Sequence, residues 1–225
     1  MSTGLNIALW IAQVSLLGIY GANGISKTVH TVKAKQKMSW TKERSDNFIH
    51  FRTLGATMSV FYEISGLNVY LQIIVTVISI AVHLFLTRNK ARKETTLEII
   101  AIYTFGLSGW FTIMSGLFGH IIYADEVAAG IGWPLDSGFQ MELGFASIGI
   151  GLVGFLGFWN RAYWFPFILM KFIFGWGAGF THILHMAKHN NFSPSYTGII
   201  LYWDFLFTIF MVVLYMLYRR QQKAL

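Results

Sequence analysis

The chain has 225 residues and a formal net charge of +7; 55% of its residues are apolar and only 12% are charged. Soluble domains carry about 25% charged residues, so this composition excludes an ordinary water-soluble fold. There is no cysteine, which excludes disulfides, thiolate metal ligands, iron–sulfur clusters and covalent c-type haem.

The apolar residues lie in long blocks that predict an all-α, polytopic membrane helix bundle. A helix needs about 20 apolar residues to cross a hydrocarbon layer of about 30 Å. The first block has no basic segment before it and no clear small-residue cleavage site, so we interpret it as a retained helix rather than a signal peptide. The blocks predict seven spans, at about residues 5–26, 49–66, 68–88, 98–122, 138–158, 163–187 and 197–218.

The number of spans is open in one place, the apolar run at residues 51–88. This run is too long for a single helix at ordinary tilt. The segment Ser65-Gly66-Leu67-Asn68 is typical of a tight turn and divides the run into two spans. One long kinked helix is the alternative.

The basic residues predict the orientation of the bundle. With seven spans they gather on one side, and the other side holds Lys188 with the acids Asp125, Glu126 and Asp136. Positive residues mark the cytoplasmic side, so the N-terminus is predicted outside and the C-terminus inside. Topology and anionic lipid headgroups explain the net charge without a nucleic-acid partner. The gathered residues are Lys27, Lys33, Lys35, Lys37, Lys42, Arg44, Arg52, Arg88, Lys90, Arg92, Lys93, Arg161, Arg219, Arg220 and Lys223.

Several ionisable side chains fall inside the predicted spans. At about 1.5 Å per residue, His83 falls in the inner half of the membrane and Lys171 near its middle. Such groups face the bundle interior or water and usually pair, because a charge in hydrocarbon costs at least a few kcal/mol. Six more fall in the outer half: Glu63, His120, Glu142, His182, His185 and Asp204.

Helical spacing predicts which faces point into the bundle. In span six, Gly175 and Gly179 form a GxxxG step that lets a neighbouring helix approach closely. Lys171, His182 and His189 share that face, and His185 lies one turn from His182. Similar faces are predicted elsewhere: Glu142, Ala146 and Gly149 in span five, Asp204 and Thr208 in span seven, and a hydroxyl stripe of Thr104, Ser108, Thr112 and Ser115 in span four.

These faces together predict a polar cavity that opens to the outside. The candidate ligand-binding residues are Glu63, Glu142, Asp204, Lys171 and Trp133, and the candidate metal ligands are His120, His182, His185 and Glu142. Imidazole and carboxylate suit a divalent metal such as zinc. The same groups could relay protons, bind a small polar ligand, or hold a haem between two histidines. The alternative is that they only hydrogen-bond across helices and stabilise packing.

The predicted outer loop, residues 123–138, carries Asp125 and Glu126, a short apolar piece, and the turn Gly132-Trp133-Pro134. Tryptophan suits the membrane interface. We interpret this segment as a re-entrant or interfacial lid over the cavity, with an ordinary connecting loop as the alternative.

Residues 98–218 resemble a family of small prokaryotic membrane proteins of unknown function. The matching elements are Gly119-His120, Gly132-Trp133-Pro134, Phe139-Gln140 with Glu142, and a late Gly-x-x-His element completed by Asn191 and Pro194. The chain departs from the family pattern at Tyr196-Thr197-Gly198, where a second Asn-Gly is usual. The resemblance implies a membrane fold in the prokaryotic inner membrane and brings no assigned activity.

A wider likeness is to the DoxX-like four-helix membrane proteins. The second half is similar through His120, Trp133, Glu142 and His182, and the first half through Lys27, Trp40, Gly55, Glu63 and His83. One membrane domain, 1–225, would then hold two diverged repeats of 3 + 4 helices, 1–97 and 98–225. The odd helix number would invert the second repeat, as in many transporters. Quinone-linked chemistry in some DoxX-like proteins keeps a redox function open by analogy.

Three functions follow as alternatives. The first is binding of a metal ion or small polar ligand in the outward-facing His/carboxylate cavity, linked to transport. The second is a non-catalytic membrane subunit or scaffold that meets a protein partner, or another copy of itself, through glycine-rich helix faces. The third is a redox component that holds haem or quinone. The sequence contains no nucleophile elbow, HExxH, phosphate loop or catalytic triad, which argues against an enzyme.

Overall fold

A computed structural model describes residues 66–89, 94–131, 133, 137–190, 192 and 197–224. Within these ranges the chain is helical and contains no strand. They belong to one compact unit of the chain, residues 60–225. The predicted span at 5–26, nearly all of the span at 49–66, and Glu63 lie outside the described residues.

Seven α-helices follow one another along the described part of the chain. Two of them continue into π-helical segments, Ser115–Ile122 after the second helix and Trp203–Phe207 between the last two. A short 3-10 turn, Arg161–Tyr163, precedes the fifth helix. The helices are α1 Leu67–Thr87, α2 Thr96–Met114, α3 Ala124–Ile131, α4 Ser137–Leu156, α5 Trp164–His189, α6 Ile199–Tyr202 and α7 Thr208–Ala224.

Five of the predicted spans are confirmed as long apolar helices. The segments long and apolar enough to cross a membrane are Asn68–Thr87, Thr96–Ile122, Gly138–Leu156, Arg161–His189 and Ile199–Ala224. Large apolar side chains on their outer faces are exposed, among them Val77, Phe145 and Ile173. So much exposed apolar surface is compatible with lipid rather than water around the helices. Helix α1 begins directly after Gly66, within the predicted turn Ser65-Gly66-Leu67-Asn68.

The span Thr96–Ile122, which consists of α2 and the π-helical segment after it, is the central helix of the described bundle, because most of its residues are buried. Its closest neighbour is α4, and the two backbones meet at glycines. A Cβ atom on Gly116 would lie 2.6 Å from the carbonyl oxygen of Gly144, and one on Gly151 would lie 2.7 Å from that of Gly109. Small residues permit this approach, and lipid offers no hydrophobic drive to replace the packing.

The predicted GxxxG contact of α5 is also confirmed. A Cβ atom on Gly175 would lie 2.9 Å from the carbonyl oxygen of Asp204 and 3.1 Å from Cγ2 of Thr208. One on Gly179 would meet the ring of Phe205. The face therefore packs against the π-helical segment and α7 of the same chain.

Polar contacts tie together the end of the bundle where α2 and α5 begin and α7 ends. Thr95 caps α2 by accepting a hydrogen bond from the backbone N–H of Glu98, and its hydroxyl donates to Gln221 at 2.8 Å. Nε of Arg161 donates to Oε1 of Glu98 at 3.0 Å. The same end carries Arg88, Arg161, Arg219, Arg220 and Lys223, and we call it the basic end.

Candidate functional site

The end of the bundle opposite the basic end carries the histidines of the predicted cavity. His120 lies in the π-helical segment Ser115–Ile122, and its Nδ1 lies 2.7 Å from Oε1 of Gln140. The side chain of Gln140 is only 2% exposed. Gly144 lets this segment approach α4, since a Cβ there would lie 3.2 Å from Cβ of His120. His120 is therefore held by Gln140 of α4, an uncharged residue that was not among the predicted site residues.

We expect Gln140→Leu to lower the free energy of unfolding by about 1 kcal/mol, because it leaves the imidazole without its partner in an apolar setting. SDS-induced unfolding in mixed micelles measures this loss. Met141→Leu is the matched control, because the neighbouring side chain is exposed. Equal unfolding curves for the two variants would contradict a structural role for the His120–Gln140 pair.

Trp133 connects α3 with the end of α5 that carries His185. Its backbone N–H donates to the carbonyl of Ala128 in α3 at 2.9 Å, and its ring lies 5.7 Å from that of Phe139 and 6.1 Å from that of His185. The predicted loop thus contains a helix, α3, with Ala128 fully buried. The indole lies against the half-buried His185, and the lid interpretation stays a prediction.

The three histidines of α5 lie close to one another. The rings of His185 and His189 are 4.4 Å apart, and His182 is within electrostatic reach of His185. About 20 residues cross the hydrocarbon layer, so counting from Arg161 places His182 near its far boundary. His185 and His189 then lie at headgroup level, where imidazoles cost little.

Deeper in the bundle, Lys171 of α5 faces Asp204 of the π-helical segment Trp203–Phe207. The two side chains lie within electrostatic range of each other and attract when both are charged. Lys171 lies one turn from Gly175, whose Cα packs against the backbone of Asp204. No ion pair within 4.0 Å joins Lys171 to Asp204, so the two side chains interact without direct contact.

The carboxylate of Asp204 is only partly satisfied. Its Oδ2 is buried and accepts no hydrogen bond from the described residues. Thr208 does not help, because its hydroxyl donates to the backbone carbonyls of Asp204 and Phe205 and accepts from Nε1 of Trp176. π-Helical segments are frequent at functional sites. This one places the carboxylate of Asp204 near Lys171 without a direct contact.

Glu142 does not face the bundle. Its side chain is exposed, as are Ala146 and Gly149 on the same face, and no described atom lies within 4 Å of a Cβ built on Gly149. The inward face of α4 is instead the one with Gly144 and Gly151. The predicted inward face of span five was therefore wrong.

The predicted metal ligands are not brought together. Within the described ranges, no three histidine, aspartate or glutamate side chains lie close enough to hold a metal ion. His182 and His185 share one end of α5, whereas His120 binds Gln140 and Glu142 points outward. The set His120, His182, His185 and Glu142 does not form a metal centre there.

His83 of α1 has a partner that the sequence survey also missed. Its Nδ1 lies 3.2 Å from the hydroxyl of Tyr103 in α2, and the two buried rings meet edge to face. This contact stands toward the basic end, away from the other histidines. It joins α1 to the central helix and stabilises packing.

Comparison with known proteins identifies a family for this chain but no function. No curated protein and no solved structure matches it. The likeness to DoxX-like proteins and the prokaryotic origin stay predictions. A family model does match residues 67–224, which covers all the described helices. The chain therefore belongs to DUF6790, a family of unknown function.

Proposed function

We propose that this chain is an integral membrane protein that binds a small polar ligand through the ionisable side chains held inside its helix bundle. The observation that carries the proposal is the Lys171–Asp204 pair. Two opposite charges from neighbouring helices attract but do not touch, and one carboxylate oxygen lacks a hydrogen bond from the described residues. An ionisable residue inside a membrane is by default a candidate for a ligand or ion pathway.

A polar group between the two side chains would satisfy both. Polar contacts across more than 3.5 Å commonly hold a bridging molecule. A small molecule with a donor for Asp204 and an acceptor for Lys171 fits this arrangement. A metal ion fits less well, since the described residues supply no third histidine or carboxylate. Transport of the bound molecule is the extension of this proposal.

The α5 glycines do not support the scaffold alternative, because Gly175 and Gly179 pack against Asp204, Thr208 and Phe205 of the same chain. The exposed small-residue face of α4, with Ala146 and Gly149, keeps a scaffold as the second candidate function.

We also propose the finer topology: seven spans in a prokaryotic inner membrane, the N-terminus outside, and a diverged 3 + 4 repeat. The clustering of Arg88, Arg161, Arg219, Arg220 and Lys223 at the basic end supports assigning that end to the cytoplasm. Lys188 lies at the end of α5 on the opposite side.

The test is a thermal-shift screen of the purified full chain in nanodiscs with glycine, glutamate, acetate, putrescine and Zn²⁺. A ligand at 100 times its Kd stabilises the folded state by about 2.7 kcal/mol, which corresponds to a rise in Tm of about 5–11 °C. We expect such a rise for at least one of the polar organic probes. Uptake of that probe into proteoliposomes then tests transport.

The controls use substitutions at the charged residues. The double variant Lys171→Met/Asp204→Asn should keep its fold and lose the shift, since it has no charge to bind the probe. Lys188→Met removes an exposed lysine from the same helix and should keep the shift. A shift that survives in the double variant would move the ligand elsewhere and end the proposal.

A further inference from the structure

A groove of about 690 Å³ opens at the basic end, remote from the Lys171–Asp204 pair. One wall is formed by the 3-10 turn and the first residues of α5, and the other by the last turns of α7. Its cationic lining residues are Arg161, Arg219 and Lys223, and its aromatic ones are Phe165, Tyr215 and Tyr218. Neither the ligand proposal nor the family match assigns this groove a role.

Both arginines are oriented by hydrogen bonds, Arg219 by a residue of the groove and Arg161 by residues beside it. Nη1 of Arg219 donates to the hydroxyl of Tyr215 at 3.1 Å. Arg161 donates through Nε to Glu98 and through Nη1 to the carbonyl of Phe158, and neither bond uses its Nη2. Orienting an arginine in advance reduces the entropy that it loses on binding an anion. Glu98 offsets one positive charge, which leaves the lining cationic.

The position of the groove indicates where its ligand comes from. It lies where two membrane spans end, Arg161–His189 and Ile199–Ala224. Phe165 is 55% exposed in the groove wall, and Leu169 and Leu217 are exposed on α5 and α7 near the groove. A headgroup seated among the cations could therefore continue into acyl chains lying on an apolar surface. Basic pockets between spans on the cytoplasmic side bind anionic lipid headgroups.

We propose that this groove binds the phosphate of an anionic phospholipid, with Arg219 and Lys223 as its principal charge contacts. Arginine pairs with phosphate oxygens through two parallel N–H donors, and Lys223 lies one helical turn from Arg219 on the same face of α7. The tyrosine hydroxyls supply further hydrogen bonds. The ligand is part of the bilayer, so the site would be occupied in the cell without a soluble partner.

Native mass spectrometry of the delipidated full chain, titrated with equal amounts of phosphatidylglycerol and phosphatidylcholine, tests the proposal. We expect the wild type to retain phosphatidylglycerol preferentially. Arg219→Gln and Lys223→Gln should each weaken that binding by at least about tenfold, because each removes a charge-assisted hydrogen bond to the phosphate. Lys223 is exposed, so its variant tests the groove even where Arg219→Gln disturbs Tyr215.

Arg220→Gln is the matched control, because it removes the same charge from the next residue of α7, which does not line the groove. It should weaken lipid binding by at most about fivefold, the diffuse effect of one cation near the surface. Equal losses in the Arg219, Lys223 and Arg220 variants would show only a diffuse attraction and overturn the proposal. Displacement of the lipid by millimolar inorganic phosphate would also overturn it, in favour of a soluble phosphate ligand.

Discussion

Gly151→Leu is expected to lower the free energy of unfolding by about 3 kcal/mol, at the upper end of the range for overpacked cores. A Cβ on Gly151 would lie 2.7 Å from the carbonyl oxygen of Gly109 and 2.8 Å from the backbone nitrogen of Ile113. Backbone atoms of a central helix cannot rotate aside as a flexible side chain can. The substitution therefore forces α4 away from α2 and disturbs the closest helix contact of the bundle.

Gly149→Leu is the control for that experiment. It makes the same chemical change in the same helix, two residues away, at an exposed position with no described atom near the new Cβ. Replacing a glycine in a helix interior gains up to about 1 kcal/mol in helix propensity, so this variant should be neutral or slightly more stable. Scanning fluorimetry in detergent should show Tm falling by about 6–10 °C for Gly151→Leu alone. Equal Tm values would mean that the α2–α4 contact does not limit stability.

Gly149 and Gly151 also show why the sequence could not indicate which face of α4 packs against α2. The helix has two stripes of small residues, one with Ala146 and Gly149 and one with Gly144 and Gly151. Periodicity fits both, and Glu142 drew the prediction toward the wrong one. Only the complementary glycines, Gly109 of α2 and Gly116 of the π-helical segment that follows it, decide between them, and complementarity between distant segments is not visible in local spacing. In α5 a single GxxxG stripe left no such choice, and its packing was predicted correctly.

Hydropathy predicted the described spans well, because a block of about 20 apolar residues has few other stable arrangements. The partners of the polar side chains were harder to predict. Gln140 and Tyr103 carry no charge, so a search for ionisable residues passed over them, yet they hold His120 and His83. A polar side chain deep in an apolar helix needs a hydrogen-bond partner whether or not it titrates. Counting buried amides and phenols with the charges would have indicated both pairs.

The predicted convergence of the six outer groups on one cavity stays a prediction. Depth along a helix follows from residue number, but it placed Lys171 near the middle of the membrane and Asp204 in the outer half, so it did not predict that the two interact. The depth of a residue does not determine in which direction its side chain points around the helix axis. Glu142 consequently points outward, and His120 pairs within its own corner of the bundle. Glu63 lies outside the described residues.

Removing either member of the Lys171–Asp204 pair should cost about 3 kcal/mol of unfolding free energy, because each single substitution leaves an uncompensated charge inside the membrane. Lys171→Met leaves the carboxylate alone, and Asp204→Asn leaves the ammonium alone. The double variant should recover most of this loss, because it removes both charges together. A double-mutant cycle of SDS unfolding in mixed micelles measures the coupling directly.

Lys188→Met sets the baseline for that cycle, since it removes an exposed lysine from the end of α5 and should change stability by less than about 0.5 kcal/mol. Coupling well above this baseline means that the two charges act as a unit despite their separation. Strictly additive losses would mean that Lys171 and Asp204 are satisfied independently, and the pair would then be no more than two separate polar residues. Because the ligand proposal needs the charges to share one space, the cycle should precede the binding screen: it establishes whether the two side chains sense each other before any probe is added.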